Sequence, residues 1–348
     1  MRQIRRSLFV LTGFVGLFPF LSMGQIAGGR STLNFLQLPS QSFNTALGAN
    51  QVTSNGSDPA LYIQNPALLD TVQTDRVSLN LMPYLADTKF VNLAYARQLK
   101  RTGGIWSAGL QYLNYGTMAE TDDIGNVIGE FRAADYSISA GYGHQLGAFT
   151  IGGAVKFVGA AVEAYQVWGL ATDWGASFKH PEEDFTAGFV VKNIGFLRRN
   201  YSGGEEPVLP LDVRAGVTFK PKYMPLRFSF SVHHLNKFDM VYNDPALFYT
   251  YDADGNKISR KVGWAEKAGR HLSLGAEVLI HPQFRLLLGY DHLRRQELRL
   301  VNKGALAGFS FGAWLRIKRF EVGYGRAQYT PGFGSSSLSL VMDLRKRR

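Results

Sequence analysis

The stretch Leu211-Asp-Val-Arg-Ala-Gly-Val-Thr-Phe219 decides the fold. Side chains alternate sides along a strand, so Leu211, Val213, Ala215, Val217 and Phe219 fall on one face and Asp212, Arg214, Gly216 and Thr218 on the other. A strand with hydrocarbon on one side and charge on the other needs an apolar environment outside and a polar one inside. The same alternation recurs. Tyr136, Ile138, Ala140 and Tyr142 interleave with Asp135, Ser137, Ser139, Gly141 and Gly143; Phe185, Ala187, Phe189 and Val191 with Thr186, Gly188, Val190 and Lys192; Leu338, Leu340, Met342 and Leu344 with Ser337, Ser339 and Asp343.

Working outward, strand windows fall near 76–83, 88–98, 104–116, 130–144, 148–160, 169–179, 184–195, 209–220, 225–236, 270–280, 284–293, 303–317, 319–329 and 335–344. Fourteen is even, and most windows reach the ~9–11 residues that cross a bilayer at a tilt. Connections alternate as well. Short turns fall at 100–103, 145–147, 180–183, 221–224, 281–283 and 318, and longer loops at 117–129, 161–168, 196–208, 237–269 and 294–302; loops 84–87 and 330–334 are short exceptions. The pattern predicts an all-β, 14-stranded antiparallel transmembrane barrel over 76–348, with short turns at the periplasmic side and long loops outward.

The first residues fit export. Arg2, Arg5 and Arg6 precede the apolar run Leu8–Leu21 and the small, polar Ser22–Gly24, the order of a secretory signal peptide over 1–24. No later segment approaches the ~20 apolar residues of a membrane helix. The absence of cysteine excludes a disulfide scaffold, thiol catalysis and cysteine-held zinc. Net charge falls from +11 to +8 when the three leader arginines are removed, and four of the remaining cations sit in 345–348, a tail effect and no nucleic-acid patch. Residues 25–75 are predicted to plug the lumen, with a helix over Asp58–Leu69 opened by Pro59.

Enzyme chemistry does not assemble, and no cofactor is expected. Asp252-Ala-Asp254-Gly-Asn256 starts like a calcium loop but has Lys257 where Gly is needed and Gly263 where Glu is needed. It reads as a hairpin tip, as does Asp123-Ile-Gly125-Asn126. His233 and His234 are adjacent, so on a strand they face opposite sides and cannot share a metal. The charges Asp173, Lys192, Asp212, Arg214, Glu277, Arg285, Asp291, Arg316 and Glu321 are expected in the lumen, bracing barrel and plug.

Three further runs carry a resemblance: Gly28-Gly-Arg-Ser-Thr-Leu-Asn34-Phe35-Leu-Gln-Leu38-Pro39, Ala46-Leu-Gly48, and Tyr62-Ile-Gln-Asn65-Pro66-Ala67-Leu-Leu69. Together they resemble the PorQ family of the type IX secretion system, related to PorV and more distantly to FadL-type transporters. Asn65-Pro66-Ala67 is common to the wider group, whereas Asn34, Phe35, Leu38 and Pro39 lie in the run that points to PorQ. The resemblance implies a plugged barrel that transports nothing, and that holds a PorZ-like surface protein within an attachment complex with PorU and PorV that anchors cargo on lipopolysaccharide. The ending Lys346-Arg-Arg suits machinery and not cargo.

Two functions follow. In the first, loop 237–269 docks the surface partner through Phe238, Met240, Tyr242, Phe248, Tyr249, Tyr251 and Arg260, aromatics and arginine being good interface anchors. A basic rim of Arg198, Arg199, Arg294 and Arg295 would attract acidic partners or lipopolysaccharide phosphates. In the second, the barrel is a FadL-like channel for hydrophobic small molecules, with an apolar pocket at Leu33, Phe35, Leu36, Leu38 and Phe43. Equally, those residues could simply seat the plug.

Overall fold

The computed structural model describes residues 31–84, 87–99, 101–202, 206–241, 249–251, 257–259, 262–298, 306–330 and 333–345, with only the backbone for 249–251 and 257–259. The expected leader, 1–24, lies outside them.

Fourteen strands close an antiparallel barrel. They are β1 (Arg76–Pro83), β2 (Lys89–Gln98), β3 (Ile105–Thr121), β4 (Val127–Leu146), β5 (Phe149–Val162), β6 (Tyr165–Lys179), β7 (Phe185–Arg199), β8 (Asp212–Phe219) and β9 (Leu226–Val232), then β12 (Leu272–His281), β13 (Phe284–Asp291), β14 (Phe309–Ile317), β15 (Phe320–Thr330) and β16 (Phe333–Asp343). Closure pairs β1 with β16 from Arg76↔Asp343 to Leu81↔Leu338. Two short strands, β10 (Tyr249–Tyr251) and β11 (Lys257–Ser259), pair with each other outside the wall.

Because the strand number is even, β1 begins and β16 ends at the same rim, here the base. The opposite rim, the crown, carries the long connections 200–211, 233–271 and 292–308. Period-2 burial runs through the wall. Asp212, Arg214 and Thr218 are at most 1% exposed, while Leu211 and Phe219 are above 40%, as the alternation predicts. Trp106, Ile138, Trp174, Phe230, Leu288 and Leu340 likewise present large apolar side chains outward, which only an apolar surrounding would cover.

Several local expectations are corrected. Residues 117–129 are not a long loop: β3 and β4 run past their other neighbours and pair as a projecting ribbon from Thr117↔Arg132 to Thr121↔Val127, with the turn confined to 122–126. Residues 161–168 close in a two-residue turn after Val162↔Tyr165, with Glu163 at φ +52°. The helix over 58–69 is two 3-10 turns, Pro59–Ile63 and Pro66–Leu68. Pro66 pushes Asn65 out of the helical region, to φ −154° and ψ 114°, and so ends the first turn. The α-helix of the segment is instead α1 (Ser42–Ala46). Strand β9 stops at Val232, two residues before His234 takes φ +55°, and β13 gives way to the crown helix α2 (His292–Leu298).

Candidate functional site

Residues 31–75 form an inner segment lining the wall. Its start is at the crown, where Thr32 N donates to Val208 O in the loop 200–211 (2.8 Å). Its end is at the base, where Asp70 caps the turn Thr71–Gln73 and the chain enters β1. Between these points it visits successive strands. Ser42 N donates to Ser339 Oγ of β16 (2.8 Å), Ser310 Oγ of β14 to Ala46 O (2.9 Å), Thr218 Oγ1 of β8 to Thr53 O (2.5 Å), and Tyr62 Oη meets Ser139 Oγ of β4 at 2.6 Å.

Most of this seat is built on glycine. Each of β3–β8 and β12–β15 places a glycine against the segment or the residues beside it: Gly109, Gly141, Gly152, Gly175, Gly188, Gly216, Gly275, Gly289, Gly312 and Gly325. A Cβ at Gly152 would lie 2.5 Å from Ala67 N, one at Gly109 2.6 Å from Tyr62 Oη, and one at Gly188 2.7 Å from Thr53 Cγ2. The Asn65-Pro66-Ala67 triplet gains a physical reason here. Asn65 Oδ1 accepts from Ala67 N (3.0 Å) while its Nδ2 donates to Val52 O (3.1 Å), tying two limbs of the segment together where Gly152 and Gly175 let them approach.

Three contacts are apolar, one of them Tyr62, Ile63 and Leu69 against Ala94, Ala96, Ile105 and Ala154. Phe43 and Leu47 pack with Leu287, Trp314 and Val341, with Phe43 edge-on to Trp314 at 5.7 Å. Towards the crown, Leu33, Phe35 and Leu36 join Met82, Phe90, Leu113, Val158, Ala171 and Leu209, with Leu38 alongside. Four of the five expected pocket residues therefore meet in one place, and Phe43 belongs to another cluster. Asn34 is exposed beside them and accepts from Ser31 Oγ (2.6 Å), and Pro39 is buried.

The expected lumenal charges are inside and mostly paired. Glu321 accepts from Ser57, Arg76 (2.7 Å), Trp314 (2.9 Å) and Arg316 (2.8 Å), and so links the inner segment to the wall near the base. Asp291 accepts from Asn50 (2.7 Å), Lys156 pairs with Asp173 (2.5 Å), and Arg214 with Asp212 (2.5 Å). Lys192 is 1% exposed and, among the described residues, has no ion pair.

His233 and His234 correct the sequence reading. The left-handed turn at His234 brings the two Nδ1 atoms to 2.7 Å, where adjacency on a regular strand would hold the rings on opposite sides. Burial pushes His234 down to about 4, so the ring is neutral and one Nδ1 donates to the other. Among the described residues no group of three or more His, Cys, Asp or Glu is placed to hold a metal.

The crown residues behave unevenly. Phe238 is half exposed and stacks on His271 at 5.8 Å, and Met240 is partly buried. Tyr249 and Tyr251 lie on β10, paired to Ser259 and Lys257. Tyr242, Phe248 and Arg260, with the tip 252–256, lie outside the described residues. Arg198 is exposed, but Arg199 pairs with Glu206 (3.0 Å), Arg294 lies over Tyr329 at 5.2 Å, and Arg295 Nη1 donates to Ala307 O (3.3 Å). The basic rim is thus half folded onto the barrel top. One feature the sequence reading missed is a cavity of about 350 Å³ at the base, lined by Arg227, Leu279, Ile280, His281, Pro282 and Arg285.

No family model and no curated protein matches the chain. Among solved structures it is similar to the Ralstonia pickettii toluene transporter TbuX, at 11% identity over 88% of this chain and 98% of that one, with a TM-score of 0.51. A monoaromatic hydrocarbon channel, TodX (TM-score 0.49), and a Pseudomonas aeruginosa FadL homologue (TM-score 0.48) align over the same shares, also at 11% identity. The likeness to TbuX shows a common barrel fold.

Proposed function

We propose that this chain is a non-enzymatic outer-membrane barrel that admits a small apolar molecule from the cell surface. The carrying observation is the apolar cluster around Phe35 at the crown, which lies nearer that rim than the two other apolar clusters of the lumen. An apolar molecule entering from the crown meets one compatible site, built by β1, β2, β3, β5 and β6 and closed by Leu33, Phe35 and Leu36 of the inner segment, which acts as a plug. The fold it has in common with a toluene transporter fits this reading. The apolar outer face of the barrel agrees with an outer-membrane location. The test is toluene uptake by cells expressing the chain. A saturable rate several-fold above empty cells, lost in Leu113→Asp, is expected; uptake equal to empty cells rejects the reading.

A second reading keeps the barrel as a scaffold of type IX secretion, holding a PorZ-like partner beside PorU and PorV at the lipopolysaccharide surface. The observation favouring it is the glycine seat, which leaves the plug little freedom to move. Replacing 240–266 by a short Gly-Ser turn should then abolish co-purification of the partner while the barrel still folds. Co-purification that survives the replacement removes the loop from the contact.

A further inference from the structure

The base cavity lies at the opposite rim from the apolar cluster, and its walls are of two kinds. Leu279, Ile280 and Pro282 form an apolar side, and Arg227, Arg285 and His281 a side of nitrogen donors. The two arginines share one acceptor atom, because Arg227 Nη1 and Arg285 Nη1 donate to the same Glu277 Oε2 at 3.3 and 3.2 Å. Arg227 Nη2 donates to Asp184 (2.8 Å), whose side chain is a third exposed, and Arg227 Nε is buried with no hydrogen-bond partner. Arg285 lies over the Phe43 ring at 5.4 Å, with one of its three nitrogens engaged by Glu277. His281 Nδ1 accepts from Gln283 N (3.2 Å), which puts the ring proton of a neutral His281 on Nε2.

A guanidinium nitrogen held out of water without an acceptor, as Arg227 Nε is, costs free energy until it is matched. Two arginines and an imidazole N–H offer more donors than a carboxylate has favourable positions for, whereas a phosphate presents three oxygens. We propose that the base cavity binds a phosphate monoester, with phosphate between Arg227, Arg285 and His281 and a short apolar substituent on Leu279, Ile280 and Pro282. The site faces the base and is independent of the apolar cluster, so it stands or falls apart from the uptake reading.

The test uses the full chain in dodecyl maltoside, titrated calorimetrically with inorganic phosphate and with butyl phosphate. One saturable site is expected, at least fivefold tighter for butyl phosphate, with both affinities reduced at least tenfold in Arg285→Gln. Ile280→Ser changes an exposed side chain and should remove the butyl advantage while leaving inorganic phosphate unchanged, a result that does not depend on Arg285→Gln folding. Absence of saturable binding by the unaltered protein, or unchanged binding in both variants, overturns the proposal. Repeating the titration in phosphatidylglycerol nanodiscs identifies the source: blocked binding points to a lipid headgroup and undiminished binding to a soluble ester, and either upholds the site.

Discussion

The inner segment meets the wall in two different ways. At mid-barrel, backbone lies against glycine, as where Ala67 faces Gly152 or Ser42 faces Gly325. At the crown, side chain lies against side chain, as where Phe35 and Leu36 meet Phe90, Leu113 and Val158. The first contact has no volume to give, since even a methyl group would overlap backbone atoms. The second is made of interchangeable hydrocarbon, which a ligand of similar size and polarity can replace. If any part of the plug yields to a ligand, it is therefore residues 33–38 and not 42–67.

The largest effect should come from filling the mid-barrel seat. Gly152 and Gly325 face different parts of the segment, so Gly152→Val with Gly325→Val should cost ~1–3 kcal/mol at each site and add. The urea midpoint of tryptophan fluorescence in detergent measures this, and an unchanged midpoint would mean that the glycines do not seat the segment. At the crown, Phe35→Ala should cost ~3 kcal/mol through the cavity it leaves. Saturating toluene should recover part of that loss, while leaving the glycine double variant unimproved. No recovery in Phe35→Ala would break the contrast and weaken the uptake reading with it.

How much of this could be read from the chain follows from the range of each signal. Two-residue alternation is local, so Leu211–Phe219 revealed both faces of β8 and the same rule set the fourteen strands in order. The inward glycines were visible too, as Gly141, Gly188 and Gly216 on the polar face, but each looked like a small lumenal residue. Their common purpose emerges only when ten strands meet one segment. Hairpin extension at 117–129 was hidden because Thr, Met, Glu and Gly in a two-stranded ribbon clear of the barrel carry no inside-outside pattern. The base cavity joins Arg227 to Arg285 across β9, β12 and β13, a distance in sequence that no motif marks. His233 and His234 were misread because a single positive φ defeats the alternation that the reading assumed.

That histidine pair tests the crown by pH. The folded His234 pKa of about 4 lies below the ordinary 6.5, so the stability tied to its neutral ring is complete above pH 6.5 and falls away as pH drops through 4. A loss of about 3 kcal/mol over that range is expected, absent in His234→Gln, with mid-barrel protection in hydrogen exchange unchanged. A loss of equal size in His234→Gln would assign the acid sensitivity elsewhere.

The smallest effect concerns Lys192, in the charged layer below the crown cluster. Lys156, Lys192 and Arg214 face Asp173 and Asp212 there, and the pairs Lys156–Asp173 and Arg214–Asp212 leave Lys192 as the cation without an ion pair among the described residues. A buried charge left over in this way lowers stability, and an isosteric hydrocarbon removes that cost. Lys192→Met should therefore add about 1 kcal/mol of stability and raise the urea midpoint, where Lys156→Met, which orphans Asp173, should lower it. If both substitutions destabilise alike, Lys192 has a counter-charge, and the layer below the crown cluster is as fully matched as the Glu321 network at the base.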